Sequence, residues 1–280
     1  MADGVNTKYK DTVFRLLFSD KERLLSLYNA ISPKRCNDAK QLEVVTLKNA
    51  IYMELKNDTA FLLGDDIHLY EHQSTQNPNM PLRFLEYISA EYQRFTHDTS
   101  IYSKKLITLP KPHFVVFYNG VDDVPDRQTL RLSDAFKANP SDNKLTLDLV
   151  VDVYNINAGH NAAVLNSCPT LKDYSELVRR TRDNHKGMPL DEAVRKAVDD
   201  CIKDGILADF LQANKDEVVG MSIFEFDREI YEKQIRKEEY EEGLKDKAVE
   251  TARNILSLNI LSNDQIAQVT GLSPEQIATL

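Results

Sequence analysis

Apolar positions along this chain change period several times, and each change marks an element. Between residues 8 and 31, Val13, Phe14, Leu16, Leu17 and Phe18 give one apolar face, with Asp11 and Thr12 placed to cap a helix ahead of them. A polar break at Ser19-Asp20 precedes Leu24, Leu25, Leu27, Tyr28 and Ile31, which are spaced as a second helical face ending at Ser32-Pro33. From Leu42 to Thr75 the apolar runs shorten. Val44-Val45-Thr46-Leu47 and Ile51-Tyr52-Met53 come first, then Thr59-Ala60-Phe61-Leu62-Leu63. The polar turn Gly64-Asp65-Asp66 follows, and Ile67 to Gln73 then alternates as a strand does, so the segment predicts a β-hairpin.

Residues 82–95 return to helical spacing, with Leu82, Leu85, Ile88 and Tyr92 on one side. Beyond Pro110 and Pro112, Phe114-Val115-Val116-Phe117-Tyr118 is continuously apolar and predicts a buried central strand leaving through Asn119-Gly120. Residues 121–144 read as loop. Leu145, Leu147, Leu149, Val151 and Val153 alternate strictly and predict another strand. From about residue 171 onward the pattern is helical, including an amphipathic helix marked by Ala193, Val194, Ala197, Val198, Cys201 and Ile202. Residues 224–250 are dominated by charge and predict a solvated helix or connector. At the end, Ile266, Ala267, Val269 and Leu272 gather around Gly271, with Ser273-Pro274 starting one more helix.

This order predicts an α/β fold in which helices flank a mixed central sheet, followed by a helical C-terminal region. The expected division is 1–220, a charged connector 221–254, and a small helical hairpin 255–280. The hairpin segment contains no lysine or arginine from Asp264 to Ile277, which suits packing or self-association better than DNA reading.

Composition narrows the function classes. No apolar run approaches the length of a membrane span, and the polar start MADGVNTKYKD lacks the apolar region of a secretion signal. Three widely separated cysteines, Cys36, Cys168 and Cys201, argue for a reducing compartment, hence the cytoplasm, and against a zinc cluster or disulfide framework. The six histidines form no HExxH or HxH pair. Neither GxGxxG nor GxxxxGK[ST] occurs, so the common nucleotide-binding loops are absent. The net charge of -9 counts mildly against nucleic-acid binding, which depends on local patches more than on total charge.

Asp58 opens one strand of the predicted hairpin and Glu71 lies in the other. Antiparallel pairing across Gly64-Asp65-Asp66 brings them nearly opposite each other, and Gln73 shares the face of Glu71. Two close carboxylates repel unless a cation lies between them, and oxygen ligands select Mg²⁺ or Mn²⁺. A Glu inside the apolar run IHLYEHQ is costly to bury without a partner. Asp65 and Asp66 read as turn residues, and the His72 side chain points away from Glu71. Arg83 reads equally as a phosphate contact or a surface charge. Lys104, Lys105 and Lys111 form a compact basic patch that a solvated loop also explains.

Asn57-Asp58 followed by Glu71-His72-Gln73 resembles the PD-(D/E)XK nuclease signature, in the form carried by Rpn-type recombination-promoting nucleases and transposase-like relatives. The longer strings YKDTVFRLLF at 9–18, KNDTAFLLGDDIHLYEHQSTQNPNMPLRFLEYISAEY at 56–92, PKPHFVVFYNG at 110–120 and VYNINAGHN at 153–161 resemble one branch of that family. The resemblance spans most of residues 8–215. It implies a restriction-endonuclease-like sheet and a Mg²⁺- or Mn²⁺-dependent endonuclease that hydrolyses DNA with little sequence specificity, linked to recombination or mobile elements. Asp58, Glu71 and the main-chain carbonyl of His72 would be metal ligands, Gln73 would stand where the family usually has lysine, and Asp11 would assist from the first helix. Arg83, Lys104 and Lys105 are the expected nucleic-acid contacts, and the C-terminal region a place for self-association. The alternatives are a catalytically silent accessory protein of a mobile element and a nuclease directed at RNA.

Overall fold

The computed structural model describes residues 12–45, 58–137, 145–258 and 260–280. The chain divides into two compact units, one reaching Phe226 and one running from Asp227 to Leu280.

Capping defines the two opening helices. The Thr12 hydroxyl accepts from the Arg15 N–H at 3.1 Å and starts α1 (Val13–Leu17). The Asp20 carboxylate accepts from the Arg23 N–H at 3.0 Å and starts α2 (Lys21–Ile31), so the chain breaks at the predicted Ser19-Asp20. Six strands then build one mixed sheet: β1 (Glu43–Val44), β2 (Thr59–Leu63), β3 (Asp66–Gln73), β4 (Lys111–Tyr118), β5 (Arg127–Arg131) and β6 (Val150–Asn155). Their order across the sheet is β1-β2-β3-β4-β6-β5. Gly64, at φ +61°, makes the turn between β2 and β3, a left-handed conformation that glycine adopts without strain. The two strands pair antiparallel, Thr59 against Tyr70 and Leu63 against Asp66.

β3, β4 and β6 are mutually parallel, with β5 antiparallel on the edge. The parallel step from β3 to β4 is made through α3 (Met80–Phe95). At the end of β4 the chain passes so close to Ser74 that a Cβ on Gly120 would meet the Ser74 carbonyl oxygen at 2.2 Å, so no larger residue fits there.

Period-2 alternation sorts β3 between two cores. Ile67 and Leu69 join Phe84, Tyr87 and Ile88 of α3, with Val116 of β4 and Val151 and Val153 of β6. Tyr70 joins the opposite core, with Phe117, Phe14 of α1, Leu24 of α2, and Leu171 and Tyr174 of α5 (Pro169–His185). That second core is the larger one. It also takes in α4 (Ala162–Ser167), α6 (Leu190–Lys203) and α7 (Ala208–Ala213), together with Val218, Val219, Met221 and Phe226 from the start of α8 (Lys215–Leu258). The structure is therefore α/β, a mixed sheet between helical layers with a helical C-terminal region.

Three sequence expectations need correction. The strand expected from Leu145 begins only at Val150, and Leu145 and Leu147 are exposed despite their alternation. The stretch expected to be loop contains β5, whose sequence RQTLR has no apolar period because an edge strand facing water needs none. Val269 stays exposed, while Ile266 and Leu272 pack as expected. The strand expected at Val44–Leu47 is described only as Glu43–Val44. The rest of that run from Thr46, and Ile51-Tyr52-Met53, lie outside the described residues.

In the second unit α9 (Asn263–Thr270) and α10 (Pro274–Ala278) close over Ala252, with Ile255 and Leu256 packed against the same cluster. Both start with a capping box, Ser262 with Gln265 and Ser273 with Gln276, and Gly271 at φ +74° ends α9. No helix among the described residues is long and apolar enough to cross a membrane.

Candidate functional site

Glu71 and Gln73 lie at the carboxyl end of β3, where ligands gather in parallel α/β sheets. Their shared face looks toward α3. Asp58 immediately precedes β2, and the register that pairs Thr59 with Tyr70 brings Asp58 beside Glu71 and His72. The Asp58 carboxylate accepts from the His72 backbone N–H at 2.7 Å and from the Thr12 hydroxyl at 3.0 Å. Thr12 thus caps α1 and orients Asp58 at once. A strand residue presents its N–H and C=O on the same edge, so the His72 carbonyl also leaves on the Asp58 side. The His72 ring points to the other face, as expected, where it stacks on Phe14 at 5.7 Å and meets the Tyr174 hydroxyl at 3.2 Å.

Glu71 is 3% exposed. Its carboxylate accepts from the Gln73 side-chain amide at 3.2 Å and forms a short ion pair with Arg83. Arg83 comes from the first turn of α3 and also donates to the Tyr87 hydroxyl at 2.8 Å. Burial is the largest single influence on the Arg83 guanidinium and lowers it, but Glu71, Tyr87 and Asp58 together outweigh burial, so the net direction is upward. The Tyr87 hydroxyl is pushed up to about 12 by burial, then by Glu71. A further guanidinium stands nearby in the fold. Arg182 of α5 donates to the carbonyl and the side chain of Asn119, whose own N–H bonds the Gln73 carbonyl at 2.9 Å. Nothing in the local sequence around Arg182 signals this placement, which depends on how α5 docks.

The structure therefore brings Asp58, Glu71, His72, Gln73 and Arg83 together. Asp11 lies outside the described residues. Lys104 and Lys105 are exposed in the loop between α3 and β4. That loop enters β4 at Lys111, which pairs with Asp66 at the far end of β3 from Glu71.

A second constellation occupies that far end, on the other face of the sheet. Asp66 and His68 are two residues apart on β3, and His113 is the direct partner of His68 on β4. Ligand-type atoms of all three lie within 4.8 Å of one another. The two imidazoles stack with centroids 4.7 Å apart. Burial pushes the His68 ring down to about 4, helped by His113, so it is neutral near pH 7. In the sequence these histidines stood as scattered, and Asp66 as a turn residue. The available signal was D-x-H on an alternating strand, but the third member comes only from the β3–β4 register.

Comparison of the chain with family models, curated proteins and solved structures finds no match. The functional reading therefore rests on the residues and their geometry.

Proposed function

We propose that the chain is a metal-dependent endonuclease that hydrolyses DNA phosphodiesters with little sequence specificity, built on a restriction-endonuclease-like sheet and linked to recombination or mobile elements. The observation that carries this reading is the hairpin geometry. It sets the Asp58 carboxylate on the N–H of His72, the residue that follows the buried Glu71. Two carboxylates and the main-chain carbonyl on the same edge are a donor set that fits Mg²⁺ or Mn²⁺. When bound, Mg²⁺ supplies charge against the phosphate and makes a nearby water more acidic.

The chain's own residues divide the remaining work. Thr12 and the His72 N–H hold Asp58 in orientation before any ligand arrives. Gln73 donates its amide N–H to Glu71, which leaves its amide oxygen to accept from an attacking water. Gln73 carries no charge, unlike the lysine usual at this place in the resembled family. In this reading the positive charge is supplied instead by Arg83, already paired with Glu71 and one-third exposed. DNA is the partner of this unit, and the free cysteines Cys36, Cys168 and Cys201 support a cytoplasmic setting. Self-association falls to the C-terminal unit, where Leu258, Ile260 and Val269 stay exposed. Light scattering of the full chain against Val269→Glu tests that part.

The main test is incubation of the pure full chain with supercoiled plasmid, with Mg²⁺ and with EDTA. Nicking is expected with Mg²⁺ only, and not in Asp58→Asn or Glu71→Gln. DNA binding without cleavage would replace this reading with a silent accessory protein. Cleavage confined to RNA would replace the substrate.

A further inference from the structure

We infer that Asp66, His68 and His113 form a separate site for a borderline divalent transition metal such as Zn²⁺, at the opposite end and on the opposite face of the sheet from Glu71. Two imidazoles and one carboxylate are the donor set such ions prefer, whereas Mg²⁺ prefers oxygen alone. The inference does not depend on the nuclease reading.

Placement is set by backbone geometry. A spacing of two residues on a strand puts Asp66 and His68 on one face, and the parallel register sets His113 beside His68. His68 is 6% exposed, yet its Nε2 has no hydrogen-bond partner, and the buried Nε2 of His113 has none either. An Asp66 carboxylate oxygen lies 3.5 Å from the latter, an ion-pair distance without a hydrogen bond. Leaving buried polar nitrogens unpaired is costly, and an ion shared between them removes the cost. Tetrahedral bonds of 2.0–2.1 Å would set the ligand atoms about 3.3 Å apart. The Asp66–His113 pair is already near that spacing; rotation of the half-buried Asp66, and a turn of the two stacked rings so that their in-plane lone pairs converge, would close the rest.

Space and access are present. The three side chains line a cavity of about 280 Å³ together with Tyr28, Lys34 and Asp152. Lys34 lies 3.9 Å from Asp66, but its side chain is 81% exposed and free to swing into water when an ion takes its place. Three protein ligands leave a coordination position open toward the cavity, as in zinc sites that bind water or a substrate group.

The experiment is a titration of the metal-free full chain with Zn²⁺ by calorimetry and with Co²⁺ by visible absorption, in excess Mg²⁺. One Zn²⁺ per chain is expected, with Co²⁺ bands of a four- or five-coordinate site. His113→Gln and Asp66→Asn, both at partly exposed positions, should each weaken binding at least tenfold, while Glu71→Gln leaves it unchanged. Should a variant fail to fold, imidazole NMR of the parent chain decides. Of the six histidines, His68 and His113 should move on adding Zn²⁺. An octahedral Co²⁺ spectrum, unchanged affinity in both variants, or shifts confined to other histidines would overturn the site.

Discussion

The two ends of β3 carry similar numbers of polar side chains and treat them in opposite ways. At the carboxyl end the carboxylates meet donors: Asp58 has Thr12 and the His72 N–H, and Glu71 Oε1 has Gln73 and Arg83. At the amino end, two stacked imidazoles keep their Nε2 atoms unbonded beside one carboxylate. The difference is one of chemistry as well as satisfaction. Carboxylates balanced by a guanidinium stay ionised in a buried place. The His68 ring is instead made neutral by burial, and is left with a lone pair to offer. One strand can thus present a hard oxygen site and a borderline nitrogen site, Glu71 lying three residues beyond His68 and five beyond Asp66, a separation of roughly 10 to 17 Å at strand rise.

The sharpest way to separate the two ends is Glu71→Ala. It should abolish Mn²⁺ binding at the carboxyl end and lower plasmid cleavage at least a thousandfold, about 4 kcal/mol in transition-state terms. Arg83 would lose its counter-charge, at roughly 2 kcal/mol of stability, because a third of that side chain keeps its water. Calorimetry, a nicking assay and urea unfolding read these separately. Mn²⁺ binding that survives the substitution removes Glu71 from the site.

Acid should act mainly on the histidine end. His68 is neutral in the fold down to about pH 4, whereas in the unfolded chain it takes up a proton below its ordinary value of 6.5. The unfolded state therefore binds more protons between those values, and stability falls as the pH falls through that window. The loss approaches about 3 kcal/mol at its acid end. Urea unfolding at pH 7 and pH 4.5 should show this slope in the parent and a flatter one in His68→Phe, which keeps the stacking on Phe61 and His113. Equal slopes would show that the proton balance lies elsewhere.

A smaller effect tests the role of Gln73. Gln73→Ala should slow cleavage about tenfold, roughly 1.4 kcal/mol, and leave Mn²⁺ affinity nearly unchanged. A Gln73→Ala chain that cleaves as fast as the parent would leave Glu71 and Asp58 without their expected helper. The smallest expected change concerns DNA engagement. Replacing Lys104 and Lys105 together with Ala should reduce the salt dependence of DNA binding by one to two charges' worth of slope, roughly 0.9 per phosphate contact. An unchanged slope would turn attention to Arg83 and Arg182, the guanidiniums the fold gathers near the carboxyl end.

Local patterning was enough to read the hairpin, the central strand, the break at Ser19-Asp20 and the helix expected over 82–95, which in the structure starts at Met80, because turns, caps and periods of 2 or 3.6 act over a few residues. It was also enough to set Asp58 opposite Glu71, since a tight turn determines the register of its own strands. It misjudged Leu145 and Leu147, which alternate but stay exposed and, among the described residues, lie outside any strand, and it missed the polar edge strand β5. Only the tertiary structure decided that α3 would lend Arg83 to Glu71, that α5 would bring Arg182 to Asn119, and that His113 would lie beside His68. Each of these joins segments far apart in the chain. Their placement depends on which faces bury against which, and that choice is settled by the packing of the whole core.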